Sequence, residues 1–293
     1  MNFVIITPAK NEGKFIGRTI NSVIRQRARP LRFIVVDDGS DDDTAEVVRS
    51  FQAENPWIEL VSADSFGAQR SGGAKVVRAF NVGFSHLGRM GIDYDFIVKL
   101  DADLELPDDY FEKVIETFSD NPQIGMCGGF IKNLIDGKLI AEEYSQHHVR
   151  GAFKSVRRDC FTAIGGFRPI WNWDSVDEVC AMYHGWQIEV FDLPVTQFRP
   201  TSGAYSSWRQ QYKDGYDAYC LRNSLILVAL RTFSRLRSRP FIFGAFSYIF
   251  GYLKAVVKRE PISIEPEIAT YYNSFHVSRI LNTISSRVGI SRA

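Results

Sequence analysis

The sequence has few cysteines, and they form no recognisable motif. Its 293 residues include four, namely Cys127, Cys160, Cys180 and Cys220, and no two are spaced as CxxC. Zinc sites and thioredoxin-like redox motifs use such close pairs. We therefore exclude both kinds of site and expect the thiols to be small buried groups in a reducing compartment.

The chain also has almost no net charge. Lysine and arginine number 35 against 34 acidic residues, which gives a formal net charge of +1. No overall field attracts nucleic acid, so any anionic ligand must be held by local groups. The N-terminal stretch "MNFVIITPAKNE" lacks a basic segment followed by a long apolar one, and we expect no signal peptide there.

Two common nucleotide-binding motifs and a long apolar run are missing as well. There is no GxGxxG after the first apolar run and no GxxxxGK[ST], which disfavours a dinucleotide-binding fold and a P-loop. The apolar run at residues 241–253 is shorter than the roughly 20 residues of an ordinary transmembrane helix.

What is present is an alternation of strands and helices. Short apolar runs, separated by segments of helical periodicity, end in polar residues at positions 7–9, 37–38 and 101–103. This spacing is typical of βαβ units and a parallel sheet, in which ligands bind at the carboxyl ends of the strands. From about residue 204 the chain becomes helical, aromatic and basic. We predict a catalytic domain of residues 1–203 and a helical region of residues 204–293 that serves the membrane surface or the acceptor.

The fourth apolar run ends in acid, in the stretch "FIVKLDADLELPDDYF". Asp101 and Asp103 are two residues apart, so in an extended segment both carboxylates reach one point. Such oxygen ligands suit Mg²⁺ or Mn²⁺ with substrate phosphates. The alternative is a turn followed by the acidic start of a helix, which explains Asp108 and Asp109 better than Asp101 and Asp103.

Four motifs in this order, "TPAKNE", "VVDDGSDDDT", "GGAKVVRAFNVG" and "KLDADLELPDDYF", resemble the family 2 glycosyltransferases of the GT-A fold over roughly residues 1–200. The resemblance implies a Rossmann-like mixed sheet with helices on both faces, followed here by a C-terminal helical extension. It also implies an inverting transferase that uses a nucleotide-diphospho-sugar and Mn²⁺ or Mg²⁺.

The resemblance also assigns the donor side of the site. The residues expected to bind the nucleotide-sugar are Pro8, Ala9, Glu12, Asp38, Lys75 and Asp101. Asp38 is expected to accept a hydrogen bond from the base. Asp101 and Asp103 are the expected metal ligands, and Gln197 stands where many members have a histidine. Its amide oxygen could ligate the metal, or the side chain could face water at a strand end; Arg199 could donate to phosphate or be exposed.

An inverting transfer needs a base for the acceptor hydroxyl. In the family this aspartate lies eleven residues before a Gly-aromatic pair, and Gly185-Trp186 leads back to Asp174. Trp173 precedes it where the family usually has glutamate, and Asp177 is the second candidate. Ser175 and Glu178 fit a capping box, which would occupy Glu178 and leave both aspartates available.

Aromatic and histidine residues surround the expected base. Trp171 and Trp173 flank it, and they form either an acceptor platform or part of the core. His147 and His148 are interpreted as solvent-facing or acceptor-side and not catalytic.

We expect the donor to be a UDP-sugar and the acceptor to be a glycan or lipid-linked hydroxyl in cell-surface polysaccharide synthesis. The C-terminal region joins apolar runs to Arg231 and Arg235. This region forms either a helix pair packed on the catalytic domain or an amphipathic element that lies on a membrane surface. We expect a cytoplasmic protein, and the second alternative would place it on the inner face of the cytoplasmic membrane. The alternatives are a polyprenyl-phosphate glycosyltransferase and a degenerate GT-A scaffold. A sugar nucleotidyltransferase is disfavoured because "TPAKNEGKFIG" lacks a glycine- and arginine-rich loop.

Overall fold

The computed structural model of the chain describes residues 1–63, 73–135, 137–141, 148–170, 172–199, 208–236 and 241–288, with side chains up to residue 282. These residues form two compact units, Met1–Pro200 and Thr201–Ala293. Each unit has its own apolar core. None of the four cysteines is in a disulfide; three are buried and Cys220 is half-buried.

The described part of the first unit contains a nine-stranded mixed sheet. Its strands are β1 Phe3–Ala9, β2 Arg32–Asp37, β3 Ile58–Ser62, β4 Phe96–Leu100, β5 Leu104–Glu105, β6 Ile124–Ile135, β7 Lys138–Ala141, β8 Phe153–Arg157 and β9 Gln187–Gln197. The order is β3-β2-β1-β4-β8-β6-β9-β5, and β7 pairs with β6. The first four strands in this order are parallel, whereas β8 is antiparallel to both of its neighbours.

Helices cover both faces of this sheet. They are α1 Gly13–Ile24, α2 Thr44–Glu54, α3 Ala74–Met90, α4 Tyr110–Asp120, α5 Arg158–Ala163 and α6 Trp173–Tyr183. Phe3 and Ile5 of β1 pack in one core with α1 and α4. Since side chains alternate along a strand, Ile6 faces the other side, where a Cβ at Gly83 of α3 would lie only 2.7 Å from its Cγ2. The predicted mixed sheet with helices on both faces is confirmed.

Three strands bring their carboxyl ends to one edge of the sheet. Ala9 of β1 is paired with Asp37 of β2, and β4 runs parallel to β1. The segment after β4 is fixed by two hydrogen bonds of the Thr19 hydroxyl of α1. The hydroxyl donates to the Ala102 carbonyl at 2.8 Å and accepts from the Leu104 N–H at 3.1 Å. The acidic stretch between β4 and β5 therefore has a fixed backbone.

The second unit consists of α7 Trp208–Cys220, α8 Leu225–Arg235, α9 Phe241–Lys258 and α10 Pro266–Val288. Helices α7 and α9 cross at very short range. A Cβ at Gly215 would collide with the Tyr248 carbonyl, and one at Gly251 would collide with the Tyr212 carbonyl. Two glycines, one on each helix, therefore permit this crossing.

Helix α9 buries mostly small residues together with Tyr248, and it exposes most of its phenylalanines. The buried residues are Gly244, Ala245, Tyr248, Gly251 and Ala255. The most exposed apolar side chains include Phe243 (78%), Phe246 (68%), Phe250 (60%) and Val257 (82%). The helix continues past the apolar run at residues 241–253. By length and composition alone, it is the one helix in the described part of the chain that could cross a membrane, and 28% of it is buried.

Candidate active site

The loops after β1 and β2 are tied together at the sheet edge. The Asp38 N–H donates to the Ala9 carbonyl at 2.9 Å, and the buried Lys10 ammonium donates to the carbonyls of Asp38, at 2.8 Å, and Gly39. Asn11, with a positive φ of 53°, accepts from the Asp41 N–H at 2.8 Å. Residues 8–12 and 37–41 thus form one rigid rim.

Four of the six predicted nucleotide-binding residues lie on this rim, whereas Lys75 and Asp101 lie outside it. Pro8 is half-buried, whereas Ala9, Glu12 and Asp38 are buried. The Glu12 N–H donates to the Thr44 hydroxyl at 2.8 Å. Lys75 is half-buried in the first turn of α3, and residues 64–72 before that helix lie outside the described part of the chain.

The two carboxylates of the acidic stretch each hold a cation of the protein. The Asp101 N–H donates to the Ala152 carbonyl at 2.7 Å, and its carboxylate pairs with the buried Lys99 ammonium. Asp103 has no solvent exposure, and its Oδ2 lies 3.4 Å from Nε of Arg199. Arg199 also pairs with the Glu12 carboxylate.

Gln197 lies next to this stretch, at the end of β9. It pairs with Leu104 of β5 and with Asn133 of β6, and it is only 3% exposed. A strand-end glutamine facing water was one of two interpretations, and it is wrong because β9 runs between two other strands here. Its role as a metal ligand stays a prediction.

The donor set suits a hard divalent cation. Within the described residues, no group of three or more histidine, cysteine or acidic side chains converges to hold a metal. Asp101 and Asp103 would therefore supply two oxygens, and water and substrate phosphates would supply the rest. Both carboxylates already hold positive groups of the chain, so this corner of the site accommodates positive charge.

Asp174 is the first acidic residue of α6 and remains reachable from solvent, with a side chain 27% exposed. The Ser175 N–H donates to its Oδ1 at 3.1 Å. Burial raises the pKa of the Asp174 carboxyl, but the charges of Lys154, His148 and Arg150 outweigh it, and the pKa lies below its ordinary value. Asp174 is therefore an ionised carboxylate that can accept a proton.

Asp177, one turn further along α6, is in the opposite state. It is 1% exposed, and its Oδ2 has no hydrogen-bond partner among the described residues. Burial raises the pKa of its carboxyl well above the ordinary value, and the charges of Asp174 and Glu178 add to the shift. The opposing charges of Lys154 and Arg168 do not cancel it. A buried carboxyl that keeps its proton to higher pH is a less suitable base than an exposed, ionised one.

Glu178 does not form the predicted capping box. The residue at the start of α6 is Asn172, with a positive φ of 53° and no side-chain cap. The Glu178 carboxylate instead accepts from the Val149 N–H at 2.8 Å, and it lies 3.3 Å from the Lys154 ammonium and 2.9 Å from Nδ1 of His148. The capping-box interpretation is wrong because this carboxylate binds a different segment of the chain.

His148 is more than a surface residue. While Glu178 holds Nδ1, Nε2 lies 3.9 Å from Oδ2 of Asp174. The solvent-facing interpretation of His148 is wrong, since the ring is half-buried beside the candidate base. The acceptor-side interpretation stays a prediction. His147 lies outside the described residues.

Trp173 belongs to the core and not to an acceptor platform. It is 5% exposed, and its ring lies 4.8 Å from that of Phe167. Lys99 and Lys154 are directly opposite on β4 and β8, and their ammonium groups lie 5.5 and 5.4 Å from the Trp173 ring centre. Trp171 lies outside the described residues.

Neither Lys99 nor Lys154 was among the site residues predicted from the sequence. A sequence signal existed for each, since Lys99 and Lys154 interrupt otherwise buried strands, where a charged residue needs a partner.

The family model described as glycosyl transferase family 2 matches residues 4–184. Among curated proteins, a poly-beta-1,6-N-acetyl-D-glucosamine synthase of Staphylococcus epidermidis is 25% identical over 204 residues, covering 63% of this chain and 45% of that protein. One of Staphylococcus aureus is 27% identical over 139 residues, covering 46% of this chain and 31% of that protein. The chain thus spans less than half the length of these relatives.

Several solved structures share the fold. The mannosyltransferase PcManGT from Pyrobaculum calidifontis, in complex with GDP-Man and Mn²⁺, has a TM-score of 0.54 at 15% identity, covering 99% of this chain and 88% of that one. S. aureus TarS 1–349 in complex with UDP-GlcNAc has a TM-score of 0.54 at 17% identity, with coverage of 88% and 73%. GalNAc-T7 with UDP, GalNAc and Mn²⁺ has a TM-score of 0.62 at 14% identity, with coverage of 98% and 57%.

Proposed function

The chain belongs to glycosyl transferase family 2, and we propose that it is an inverting, metal-dependent enzyme that transfers one sugar from a nucleotide-diphospho-sugar to a hydroxyl. The pairing of β4 with β8 carries the proposal. Lys99 on β4 holds the Asp101 carboxylate, and Lys154 on β8 donates to the Asp174 carbonyl at 2.5 Å. One strand pair therefore ties the donor-side acid to the acceptor-side acid.

The donor side would bind a nucleoside diphosphate between the rim and the acidic stretch. Asp38 and Glu12 would face the nucleoside, and Asp101 and Asp103 would hold Mn²⁺ or Mg²⁺ on the diphosphate. The bound cation would neutralise charge that develops on the leaving oxygens. A UDP-sugar is the proposed donor, supported by TarS and GalNAc-T7, whose structures contain UDP-GlcNAc and UDP.

Asp174 would act as the base. It accepts the proton of the acceptor hydroxyl while that oxygen attacks the anomeric carbon opposite to the departing nucleoside diphosphate, which inverts the configuration. The burial and raised pKa of Asp177 support Asp174 over Asp177 in this role.

The acceptor would be a glycan or a lipid-linked glycan in cell-surface polysaccharide synthesis. The poly-beta-1,6-N-acetyl-D-glucosamine synthases among the relatives support the glycan. Helix α9 supports the lipid, because its exposed phenylalanines form an apolar face and its charged residues, Lys254 and Lys258, are both basic. Residues 208–260 include ten basic and three acidic residues. This combination suits the surface of an anionic membrane, to which the chain would bind peripherally.

The function is tested by incubating the protein with UDP-sugars and GDP-mannose, with Mn²⁺ or with EDTA, and measuring release of the nucleoside diphosphate. We expect one donor to support release that needs the metal and that disappears in Asp103→Ala. Asp174→Asn should lower the rate about 10²- to 10⁴-fold.

Two outcomes would redirect the proposal. Absence of release with every donor would favour a degenerate scaffold. Full transfer to a polyprenyl phosphate by Asp174→Asn would favour a polyprenyl-phosphate glycosyltransferase, because an acceptor that is already anionic needs less base catalysis.

Membrane contact is tested by flotation with liposomes that contain anionic lipid. We expect the wild type to float at low salt and the Phe246→Glu/Phe250→Glu variant to remain at the bottom. Leu139→Glu/Ile140→Glu is the matched control, since those residues are also exposed, at 56% and 51%, but lie on β7. Equal flotation of all three proteins, or flotation of none, would contradict a contact through α9.

A further inference from the structure

Arg199 joins the two ends of the proposed donor site. Its Nη2 pairs with the Glu12 carboxylate, and its Nε lies 3.4 Å from Oδ2 of Asp103. Glu12 begins the segment that leads into α1, and Asp103 is one of the two expected metal ligands. The guanidinium therefore links the nucleoside end of the site to the metal end.

Aromatic rings hold this arginine in place. The guanidinium carbon lies 4.9 Å from the centre of the Phe15 ring, and Phe15 stacks on Phe198 at 5.8 Å. The Phe198 N–H donates to the Asp103 carbonyl at 3.0 Å, so the arginine and its carboxylate partner share one support. Since rings and backbone fix both partners, the ion pair is held by its surroundings and is not a chance surface contact.

Burial differs across this cluster. The side chain of Asp103 has no solvent exposure and that of Glu12 has 3%, whereas Arg199 is 33% exposed. Arg199 is therefore the most exposed member of the cluster, and its guanidinium already pairs with the carboxylate of Asp103.

We propose that Arg199 occupies the cation position on Asp103 in the donor-free enzyme, and that metal and donor bind together by displacing it. The inference rests on the proposed donor site. A divalent cation at Asp103 would repel a guanidinium that stayed there. The displaced guanidinium needs an anion, and the diphosphate of the donor supplies one, with which arginine forms forked hydrogen bonds.

The consequence is a strong coupling between the two ligands. Metal alone must displace Arg199 with no phosphate to receive it, so it binds weakly. With a nucleoside diphosphate present, the same displacement gains a new ion pair, so the metal binds tightly. Coupling between binding sites is reciprocal, and the metal must strengthen nucleotide binding by the same factor.

The test is a titration of Mn²⁺, followed by electron paramagnetic resonance, with and without UDP. It compares the wild type with Arg199→Gln, Arg199→Lys and Arg18→Gln. Arg18 is the matched control, because its guanidinium lies 4.9 Å from the Phe198 ring in the same stack but appears in no ion pair with Asp103 or Glu12. We expect Arg199→Gln to bind Mn²⁺ without UDP about tenfold more tightly than the wild type, a free-energy change of about 1.4 kcal/mol. The enhancement by UDP should shrink at least tenfold, and Arg18→Gln should match the wild type.

Loss of Arg199 removes a cation from beside two buried carboxylates, so Arg199→Gln should unfold at a lower temperature. Mn²⁺ alone should then raise its melting temperature more than that of the wild type, which a merely structural arginine would not produce. Arg199→Lys keeps the charge but loses the guanidinium that forms paired hydrogen bonds. It should raise the affinity for Mn²⁺, as Arg199→Gln does, but by a smaller factor.

The inference is overturned if folded Arg199→Gln or Arg199→Lys binds Mn²⁺ no more tightly than the wild type. It is also overturned if the enhancement by UDP is unchanged. If the wild type itself binds no nucleotide with Mn²⁺, the proposed function fails, and this outcome is distinct from a wild type that binds both ligands with coupling independent of Arg199.

Discussion

Replacement of Asp177 by asparagine is expected to leave transfer nearly intact and to change the pH dependence of stability. Asn has the shape of a protonated aspartate, which is the form that burial favours at this position. In the unfolded chain Asp177 ionises near its ordinary pKa of about 3.9. The folded wild type keeps the proton to higher pH, so it binds more protons than the unfolded chain in that range.

The sign and size of the effect follow from proton linkage. Where the folded state binds the extra proton, stability falls as pH rises. The loss is about 1.4 kcal/mol for each pH unit, beginning near pH 4 and ending at the raised pKa of the folded state. Asp177→Asn lacks this group and avoids the loss. Its free energy of unfolding should therefore exceed that of the wild type by an amount that grows with pH.

The assay is urea unfolding of both proteins at a series of pH values from 4 upward, together with the kcat and KM of transfer. The pH at which the difference stops growing measures the folded-state pKa of Asp177. A difference that does not vary with pH would refute the assigned protonation state. A loss of kcat as large as that of Asp174→Asn would refute the assignment of the base.

Three further predictions concern other parts of the chain. His148→Gln should lower kcat about tenfold with little change in the KM for the donor, since the ring contacts the acceptor-side acid; steady-state kinetics at varied donor concentration check this. Gly215→Ala should lower stability by about 1–3 kcal/mol because its Cβ would strike the Tyr248 backbone, whereas Gly88→Ala, with open space around it, should be neutral or stabilising in the same calorimetric scan. Burial lowers the pKa of His276 to about 3, with Arg231 and Arg279 adding to the shift. The free energy of unfolding of the wild type should therefore fall relative to that of His276→Gln as pH falls from 6.5 toward 3. A difference in free energy of unfolding that stays constant over that range would contradict the prediction.

The two buried lysines explain an unusual residue of the site. Like charges directly opposite on neighbouring strands destabilise a sheet, yet Lys99 and Lys154 are paired in register. Each has an acidic partner, Asp101 or Glu178, and both ammonium groups lie near the face of Trp173. A tryptophan face attracts cations. Trp173 therefore stabilises the two ammonium groups from the position at which the resemblance implies a glutamate.

The sequence by itself determined the order of elements and the positions of the acids that we propose for the donor side. Apolar runs ending in Asp37, Asp101 and Asp103 are local patterns, and parallel strands must bring such ends to one edge. The resemblance to family 2 glycosyltransferases, which implies a base eleven residues before a Gly-aromatic pair, also led to Asp174 without any structure.

Only the tertiary structure decided which acids are charged and which cations hold them. The pKa of Asp174 depends on Lys154 and His148, which are 20 and 26 residues away in the chain, and Arg199 meets Glu12 across 187 residues. Glu178 fits a local capping pattern in the sequence, but its carboxylate contacts His148 and the Val149 N–H instead. Burial and nearby charges determine the charge state and the partners of each acid. Neither can be read from the spacing of residues along the sequence.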